Sequence, residues 1–270
     1  MSYAKTKRQH IEEKFHDEYA KSEDINKIGI AQNFSIAAQE NRHAANAFGS
    51  LKDKKILDLG CGFGETAIYW AKKGAIVDAI DISSVSLRLG QKLAIKHKVA
   101  SKVNFAQMTA EDLKFKSNSF DFVFGNGVLH HVDIPKSVVE IKRVLKKGGK
   151  AAFVEPLAYN PIINVYRKIA QDVRTPTERP LTYEDIKKLK KVFQKVSYTE
   201  YKLFTLLIFL WFFLVARISP NQERYWRKIL KVKGFQKQLL KFLMSVDNFF
   251  LRIFPPARPW CWNIVVELQK

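Results

Sequence analysis

Along the middle of the chain, short apolar runs alternate with longer stretches whose apolar residues return every three or four positions. Lys55-Ile56-Leu57-Asp58-Leu59 is stopped by Gly60, and Thr66 to Lys73 resumes at helical spacing, which predicts a strand, a glycine turn and a helix. The unit recurs as a strand over 76–82, a helix over 84–97, strands over 103–108 and 120–124, a helix over 135–145, and a strand over 150–155 entered through Gly148-Gly149. Strands separated by helices of this length need right-handed crossovers, and so an α/β fold with a mostly parallel sheet and helices on both faces.

After Pro156 the rhythm changes. Asn160-Pro161 and the stretch from Thr175-Pro176 to Arg179-Pro180 punctuate a long connection, followed by a helix over 182–193 that starts as a Thr182/Asp185 capping box. Strands over 198–204 and 264–268 bring the expected sheet to seven. Residues 1–50 read as a polar, helical N-terminal extension, 51–204 and 260–270 as the sheet domain, and 205–259 as an apolar, basic helical insertion between the last two strands.

With 270 residues, 47% of them hydrophobic, the chain can bury one large domain with an elaboration and is not disordered in character. Leu206 to Ala216 is an unbroken run of eleven apolar residues, against the roughly 20 that a membrane-spanning helix needs. A core helix or an element lying in a membrane interface both suit it. Cys61 and Cys261 are too few and too far apart for a disulfide framework or a metal cluster, so a reducing, cytoplasmic setting without a metal is expected. Lys5, Lys7 and Arg8 lead into polar residues rather than an apolar segment, so no export signal is expected. The 46 Lys and Arg against 26 Asp and Glu give a formal charge of +20, which draws the chain to something anionic: nucleic acid, a membrane face or an acidic substrate.

Asp58-Leu59-Gly60-Cys61-Gly62-Phe63-Gly64 is a G-x-G-x-G turn between a strand and a helix. Glycines there let the backbone bend sharply and approach a ligand, while the helix N-terminus offers free N–H donors. A plain strand-to-helix connector is the alternative. Asp81, about twenty residues on at the end of the second strand, is placed to accept both hydroxyls of a ribose, or else caps the helix that starts at Ser83-Ser84.

Together with Ala110-Glu111-Asp112, the Leu-His-His after the fourth strand and the Arg-Val-Leu-x-x-Gly-Gly of residues 143–149, these motifs resemble the class I S-adenosylmethionine-dependent methyltransferases. The nearer resemblance is to the branch that includes the quinone-biosynthesis enzymes. The likeness covers about residues 50–156 and implies a Rossmann-like fold with S-adenosylmethionine as cofactor and S-adenosylhomocysteine as product. It implies that Asp58 and the backbone from Gly60 and Cys61 through Gly62 to Gly64 hold the cofactor's amino-acid end, and that Asp81 and Ile82 hold its ribose. Thr109, Ala110 and Glu111 border the adenine, and Asn126 and Gly127 lie beside the methyl donor. Thr109 stands where the family often has an acid, which shifts the expected adenine contact to Glu111 or Asp112.

His130 and His131 have an imidazole pKa suited to removing a proton from a methyl acceptor, though packing is an equally ordinary use. Glu155 is the competing base, or a strand-end cap. Tyr19, with Phe15 and His16, is expected in a lid over the acceptor. Arg174 and Arg179 either grip a phosphate or carboxylate or face solvent. Between Glu200 and Asp247 the only acid is Glu223, among nine Lys and Arg and many aromatics, as in a surface that meets an anionic membrane. The expected function is therefore methyl transfer to a small, lipophilic or membrane-associated acceptor: a prenylquinone, a lipid or a lipid-linked glycan. An RNA methyltransferase is the rival that the charge favours, although Gly125-Asn126-Gly127-Val128 replaces the Asn/Asp-Pro-Pro-aromatic tetrad of amino-methylating enzymes. A non-catalytic scaffold is the rival of another class. Oligomeric state is not legible.

Overall fold

The computed structural model describes residues 5–270. Helices α1 (Lys7–Lys21) and α2 (Gln39–Phe48) precede the sheet, whose strands are β1 (Lys55–Leu59), β2 (Ile76–Asp81), β3 (Val103–Gln107), β4 (Phe120–Asn126), β5 (Leu145–Pro156), β6 (Lys195–Tyr201) and β7 (Asn263–Gln269). They lie in the order β3-β2-β1-β4-β5-β7-β6, all parallel except β7, which runs antiparallel to both β5 and β6. The seven-stranded, mostly parallel Rossmann-like sheet is thus as the sequence rhythm predicts. Connecting helices are α3 (Glu65–Lys72), α4 (Ser84–Lys96), α5 (Ile134–Val144), α6 (Pro161–Ile169) and α7 (Tyr183–Val192).

Strand residues alternate between two cores, because successive side chains leave a strand on opposite faces. Ile56, Phe122, Phe124, Ala152 and Val154 meet Trp70 of α3, Leu93 of α4 and Phe48 of α2 on one face. Leu57, Leu59, Val123, Ala151 and Phe153 meet Ile141 of α5 and Leu189 of α7 on the other. Each fully buried side chain of this size contributes roughly 1.5–3 kcal/mol. With both faces covered, the strands carry almost no polar residue inside the sheet. Asp58 is the exception on β1, and its place at the carboxyl end explains it.

Connection order reverses between β1 and β4. The chain passes outward from β1 to β3, then returns to build from β4 in the other direction, which opens a crevice beyond the carboxyl ends of these two strands. Register sharpens the point, since Leu59 pairs with both Ile80 and Gly125, so Gly60 leaves the sheet between the ends of β2 and β4.

Several boundaries differ from the sequence pattern for local reasons. Gly148 and Gly149 lie within β5 and do not precede it; Gly148 takes a positive φ of 76°. β6 stops at Tyr201 because Lys202 adopts a φ of +66°, so residues 202–204 leave the strand. The connection after β5 contains α6, which the proline punctuation concealed. Asn160 caps its first turn by accepting from the Ile163 N–H at 3.0 Å, and Pro161 sits at the first helical position, where the missing N–H costs nothing.

In the insertion, α8 (Leu207–Leu210) runs into a π turn over Trp211–Val215, followed by α9 (Tyr225–Lys228) and the long α10 (Gly234–Ile253). Leu206, Ile208, Phe209, Phe212, Tyr225, Leu240, Leu243 and Met244 form its own core with Ile163 of α6. Leu243, next to the outward Phe242 in sequence, is therefore inward. Phe235, Phe242 and Phe249 recur every seventh residue on the outward side and are 70%, 64% and 67% exposed. Asp247 is buried and accepts from the N–H groups of Leu203, Phe204 and Thr205 and from the Thr205 hydroxyl, tying α10 to the start of the insertion. Among the described residues no helix is long and apolar enough to cross a membrane.

Candidate active site

A cavity of about 420 Å³ opens at the switch point, lined from β1, β2, β4 and β5 and covered by α1, the segment before α2, and the insertion. The glycine turn forms its floor. Gly60, Gly62 and Gly64 all have positive φ, at 66°, 53° and 75°, a conformation that L side chains resist. A side chain at Gly60 would collide with Val128, and one at Gly64 with Phe105, whereas Gly62 faces open space. Two of the glycines thus permit close packing, and the middle one leaves room for a ligand.

Asp81 ends β2 with one carboxylate oxygen accepting from the Gly62 N–H at 2.9 Å and the other from the Ser83 N–H at 2.8 Å. Asp81 thus steadies the start of α4, as the capping alternative has it, and also stands on the cavity wall. Cys61, Ile82, Thr109, Ala110, Asn126 and Gly127 line the same space. Asp58 and Gly64 do not. Asp58 is buried behind the turn, accepting from the Thr66 hydroxyl at 2.6 Å, so its reach into the cavity runs through Thr66, which does line it. Burial, then repulsion from Glu65 and Asp81 against the Thr66 hydrogen bond, pushes the Asp58 carboxyl up to about 7. Glu111 lines the cavity but is engaged, accepting from the Asp133 N–H at 3.0 Å and from the Gln9 side chain. Asp112 pairs with Lys114, away from the lining.

At the β5 end, Glu155 is buried and threefold bonded. One oxygen accepts from the Val128 and Leu129 N–H groups at 3.0 and 2.7 Å, and the other lies 2.6 Å from His130 Nδ1. A carboxylate so placed holds the proton on Nδ1 and leaves Nε2 as the free, basic nitrogen. That nitrogen lies 3.6 Å from Glu178. Glu155 is therefore the group that orients the His130 ring and sets which of its nitrogens faces away. His131 turns to Glu12 of α1, with Nδ1 at 3.1 Å from its carboxylate. Burial and the neighbouring His130 hold the His131 pKa below its ordinary value despite Glu12. Burial would raise Glu12, but hydrogen bonds with His131 and His16 hold it well below the carboxylate range. Glu12, His16 and His131, and likewise His130, His131 and Glu178, bring ligand-type atoms within 4.8 Å of one another, donor sets assembled from distant parts of the chain.

The cover is built from distant parts of the chain. Tyr19 of α1 stacks on Phe63 with ring centroids 5.6 Å apart, and the Arg224 guanidinium lies 3.6 Å from the centroid of the Tyr19 ring. Arg227 donates to the Tyr19 hydroxyl, to Glu23 at 2.6 Å and to Glu65 at 3.2 Å, joining the insertion to α1 and to the helix after the glycine turn. Asn126 donates to Asn41 of α2 at 2.9 Å. Sequence reading missed Asn41, Glu65 and Arg227, because their roles rest on contacts between elements far apart in the chain, and Thr66, which only the folded turn brings onto Asp58. Arg174 lines the cavity and pairs with Glu178 at 2.6 Å. Arg179 does not: it pairs with Asp185 at 2.9 Å, its side chain is 58% exposed, and it is a surface charge.

Comparison with known proteins agrees with this geometry. Residues 57–153 match the family described as "Methyltransferase domain". The sarcosine/dimethylglycine N-methyltransferase of Aphanothece halophytica is 34% identical over 105 residues, 38% of this chain and 38% of that one. The ubiquinone biosynthesis O-methyltransferase of Alkalilimnicola ehrlichii is 35% identical over 113 residues, 41% of this chain and 45% of that one. The matches thus span less than half the length of these two curated relatives. The geranyl diphosphate C-methyltransferase of Streptomyces coelicolor A3(2) shares the fold over 99% of both chains, with a TM-score of 0.62 at 11% identity. The glycine turn from Gly60 to Gly64 and the strand-end Asp81 both lie inside the matched stretch, so over residues 57–153 the chain is similar to the methyltransferase domain.

Proposed function

We propose that this protein transfers a methyl group from S-adenosylmethionine to a small, lipophilic acceptor that it meets at an anionic membrane surface. The observation that carries the methyl-transfer reading is the open turn at Gly62, hydrogen-bonded to Asp81 on the floor of a covered cavity. Gly60 to Gly62 and Thr66 are the groups for the cofactor's amino-acid end, Asp81 and Ile82 for its ribose, and Thr109 to Glu111 for its adenine. When bound, S-adenosylmethionine supplies an activated methyl group. The chain then has to align the acceptor and keep water out, and the cover of α1 and the insertion serves both ends. His130 Nε2, with Glu155 behind it, receives the acceptor's proton. His131, tied to Glu12, packs the cover against the floor.

The similar proteins named for ubiquinone biosynthesis and geranyl diphosphate stand beside one named for sarcosine and dimethylglycine, so names do not choose the acceptor. The surface supports the lipophilic choice. Phe235, Phe242, Phe249, Ile253 and Phe254 are exposed along and just beyond α10, Phe213, Leu214 and Val215 are exposed on the neighbouring π turn, and Lys233, Lys237 and Lys241 lie outward too. Aromatics at a headgroup boundary with lysines beside them suit a peripheral contact on the cytoplasmic face.

Mass spectrometry of lipid extracts incubated with methyl-labelled cofactor tests the reaction, and a labelled lipid lost on Asp81→Ala is the expected result. Co-sedimentation with vesicles containing anionic lipid tests the surface; retention on RNA without vesicle binding would reverse the choice of partner.

A further inference from the structure

On the β5 side of the cavity the wall carries three arginines, of which only one has a carboxylate in contact. Arg167 of α6, Arg174 after it, and Arg224 ahead of α9 all line the space. Arg174 pairs with Glu178. Arg167 makes a side-chain hydrogen bond only to the Asn164 amide oxygen, and Arg224 lies on the Tyr19 ring; among the described residues neither has a carboxylate within 4.0 Å. Burial of Arg167, with Arg174 nearby, pushes its pKa down to about 10, and burial lowers that of Arg224. Tyr166 lines the same wall, and its buried hydroxyl makes no side-chain hydrogen bond among the described residues, has the Tyr225 backbone beside it, and is near enough to Arg174 and Arg224 to feel both charges.

Of these three guanidiniums only Arg174 has a carboxylate in contact, Glu178, while Glu23 acts on Arg224 from farther off, so Arg167 and Arg224 stand in the cavity wall without a paired acid. Burying them without a partner is costly, so the arrangement calls for a ligand that brings the missing charge. A carboxylate supplies one charge and two acceptor oxygens; a phosphate group supplies two charges and three oxygens for forked donors. We propose that Arg167, Arg174 and Arg224, with the Tyr166 hydroxyl, form an anion subsite for a phosphate or diphosphate group on the methyl acceptor. Glu178 joins this subsite to the chemistry, for it contacts Arg174 at 2.6 Å and His130 Nε2 at 3.6 Å, so a seated phosphate holds the rest of the acceptor over His130. The inference rests on the methyl-transfer reading for the identity of that acceptor, and on the cavity alone for the anion.

The test is calorimetry on the full chain saturated with S-adenosylhomocysteine, titrated with inorganic pyrophosphate and with inorganic phosphate. Saturable binding near one per chain is expected, weakened at least tenfold by Arg167→Met and by Arg174→Met and largely kept by Arg167→Lys, with affinity for S-adenosylhomocysteine within twofold of wild type. Decyl phosphate below its micelle concentration distinguishes the source. Binding a hundredfold tighter than inorganic phosphate assigns the subsite to a lipid headgroup, and equal binding to a water-soluble phosphate ester. Wild-type protein with no saturable anion binding, or variants that bind as wild type does through surface lysines, would overturn the subsite. Repeating the titration without S-adenosylhomocysteine separates the two readings: anion binding in a protein that gives no cofactor heat keeps the subsite and removes methyl transfer.

Discussion

The Asp81 carboxylate and the Gly62 N–H meet at 2.9 Å, so the acid expected to grip a sugar also fixes the turn that must approach it. Its second oxygen holds the Ser83 N–H, and α1 joins the same corner through the Asp17 carboxylate, which accepts from the Ser83 hydroxyl at 2.6 Å. Asp81→Ala should therefore do two things at once. It leaves two backbone donors without their partner, a loss of about 1–3 kcal/mol in urea unfolding, and it should weaken S-adenosylhomocysteine binding by more than tenfold in calorimetry. Unchanged cofactor affinity in a folded Asp81→Ala protein would count against the ribose role.

The glycines of the turn should separate by cause. Gly60→Ala places a Cβ 2.7 Å from Val128 Cγ2 at a φ of +66°, whereas Gly62→Ala meets nothing within 4 Å at +53°. The left-handed conformation costs a non-glycine residue roughly 1–2 kcal/mol in either case. Gly60→Ala adds the clash, so it should be the less stable of the two by thermal unfolding. Gly62→Ala should remain folded and still lose cofactor, because its methyl group enters the space proposed for the ligand. Equal stability of the pair would show that Val128 gives way.

Asp58 sets a pH dependence. A buried carboxyl raised to about 7 in the folded chain, against the ordinary 3.8, binds its proton more tightly folded than unfolded. Stability from this group is therefore greatest at low pH and is lost as pH rises from about 4 through 7. Asp58→Asn, which still accepts from Thr66, removes that slope. Urea unfolding of both proteins at several values between pH 5 and 8 should show the variant gaining on wild type as pH rises, by on the order of 1 kcal/mol or more. Parallel curves would mean that Asp58 is ionised in the folded protein throughout.

The sheet was legible because both of its signals are local. Apolar runs such as Ile56 to Leu59 and Val77 to Ile80 stop at glycine or a strand-end acid, and the helices between them carry their own periodicity. The glycine turn and Asp81 could be named for the same reason, being motifs within single connections. Glu155 was found but not its work, since nothing in the sequence says that it faces Val128, Leu129 and His130 from 25 to 27 residues away. Arg227 and Asn41 were invisible, for their partners lie 85 to 208 positions distant. The apolar richness of residues 205–259 was plain, but composition does not say which half faces inward. Leu240, Leu243 and Met244 pack, while Phe235, Phe242 and Phe249 remain outside.

That outward seam gives a surface prediction. Phe242→Ser with Phe249→Ser touches no buried contact, so stability should stay within about 0.5 kcal/mol of wild type. Co-sedimentation with anionic vesicles should nevertheless fall severalfold, and the wild-type binding should weaken as salt is raised, since lysines supply part of the attraction. Vesicle binding unchanged in the double variant would move the contact away from α10.

Glu155 offers the sharpest test of the proposed base. Its carboxylate can only accept, so it fixes the His130 proton on Nδ1 and keeps Nε2 free. In Glu155→Gln the amide oxygen can still serve the Val128 and Leu129 N–H groups, but the amide nitrogen then faces Nδ1 as a donor. The ring must answer by accepting at Nδ1 and carrying its proton on Nε2, which is the wrong tautomer for receiving one from an acceptor. Nitrogen-15 NMR of the imidazoles should accordingly show His130 switching from the Nδ1–H to the Nε2–H form with the fold retained, and methyl transfer should fall by at least tenfold. Glu155→Ala, by contrast, strands both N–H groups and should cost about 2–4 kcal/mol of stability. A His130 tautomer that stays the same in Glu155→Gln would remove Glu155 as its orienting group and leave His130 without a defined basic nitrogen.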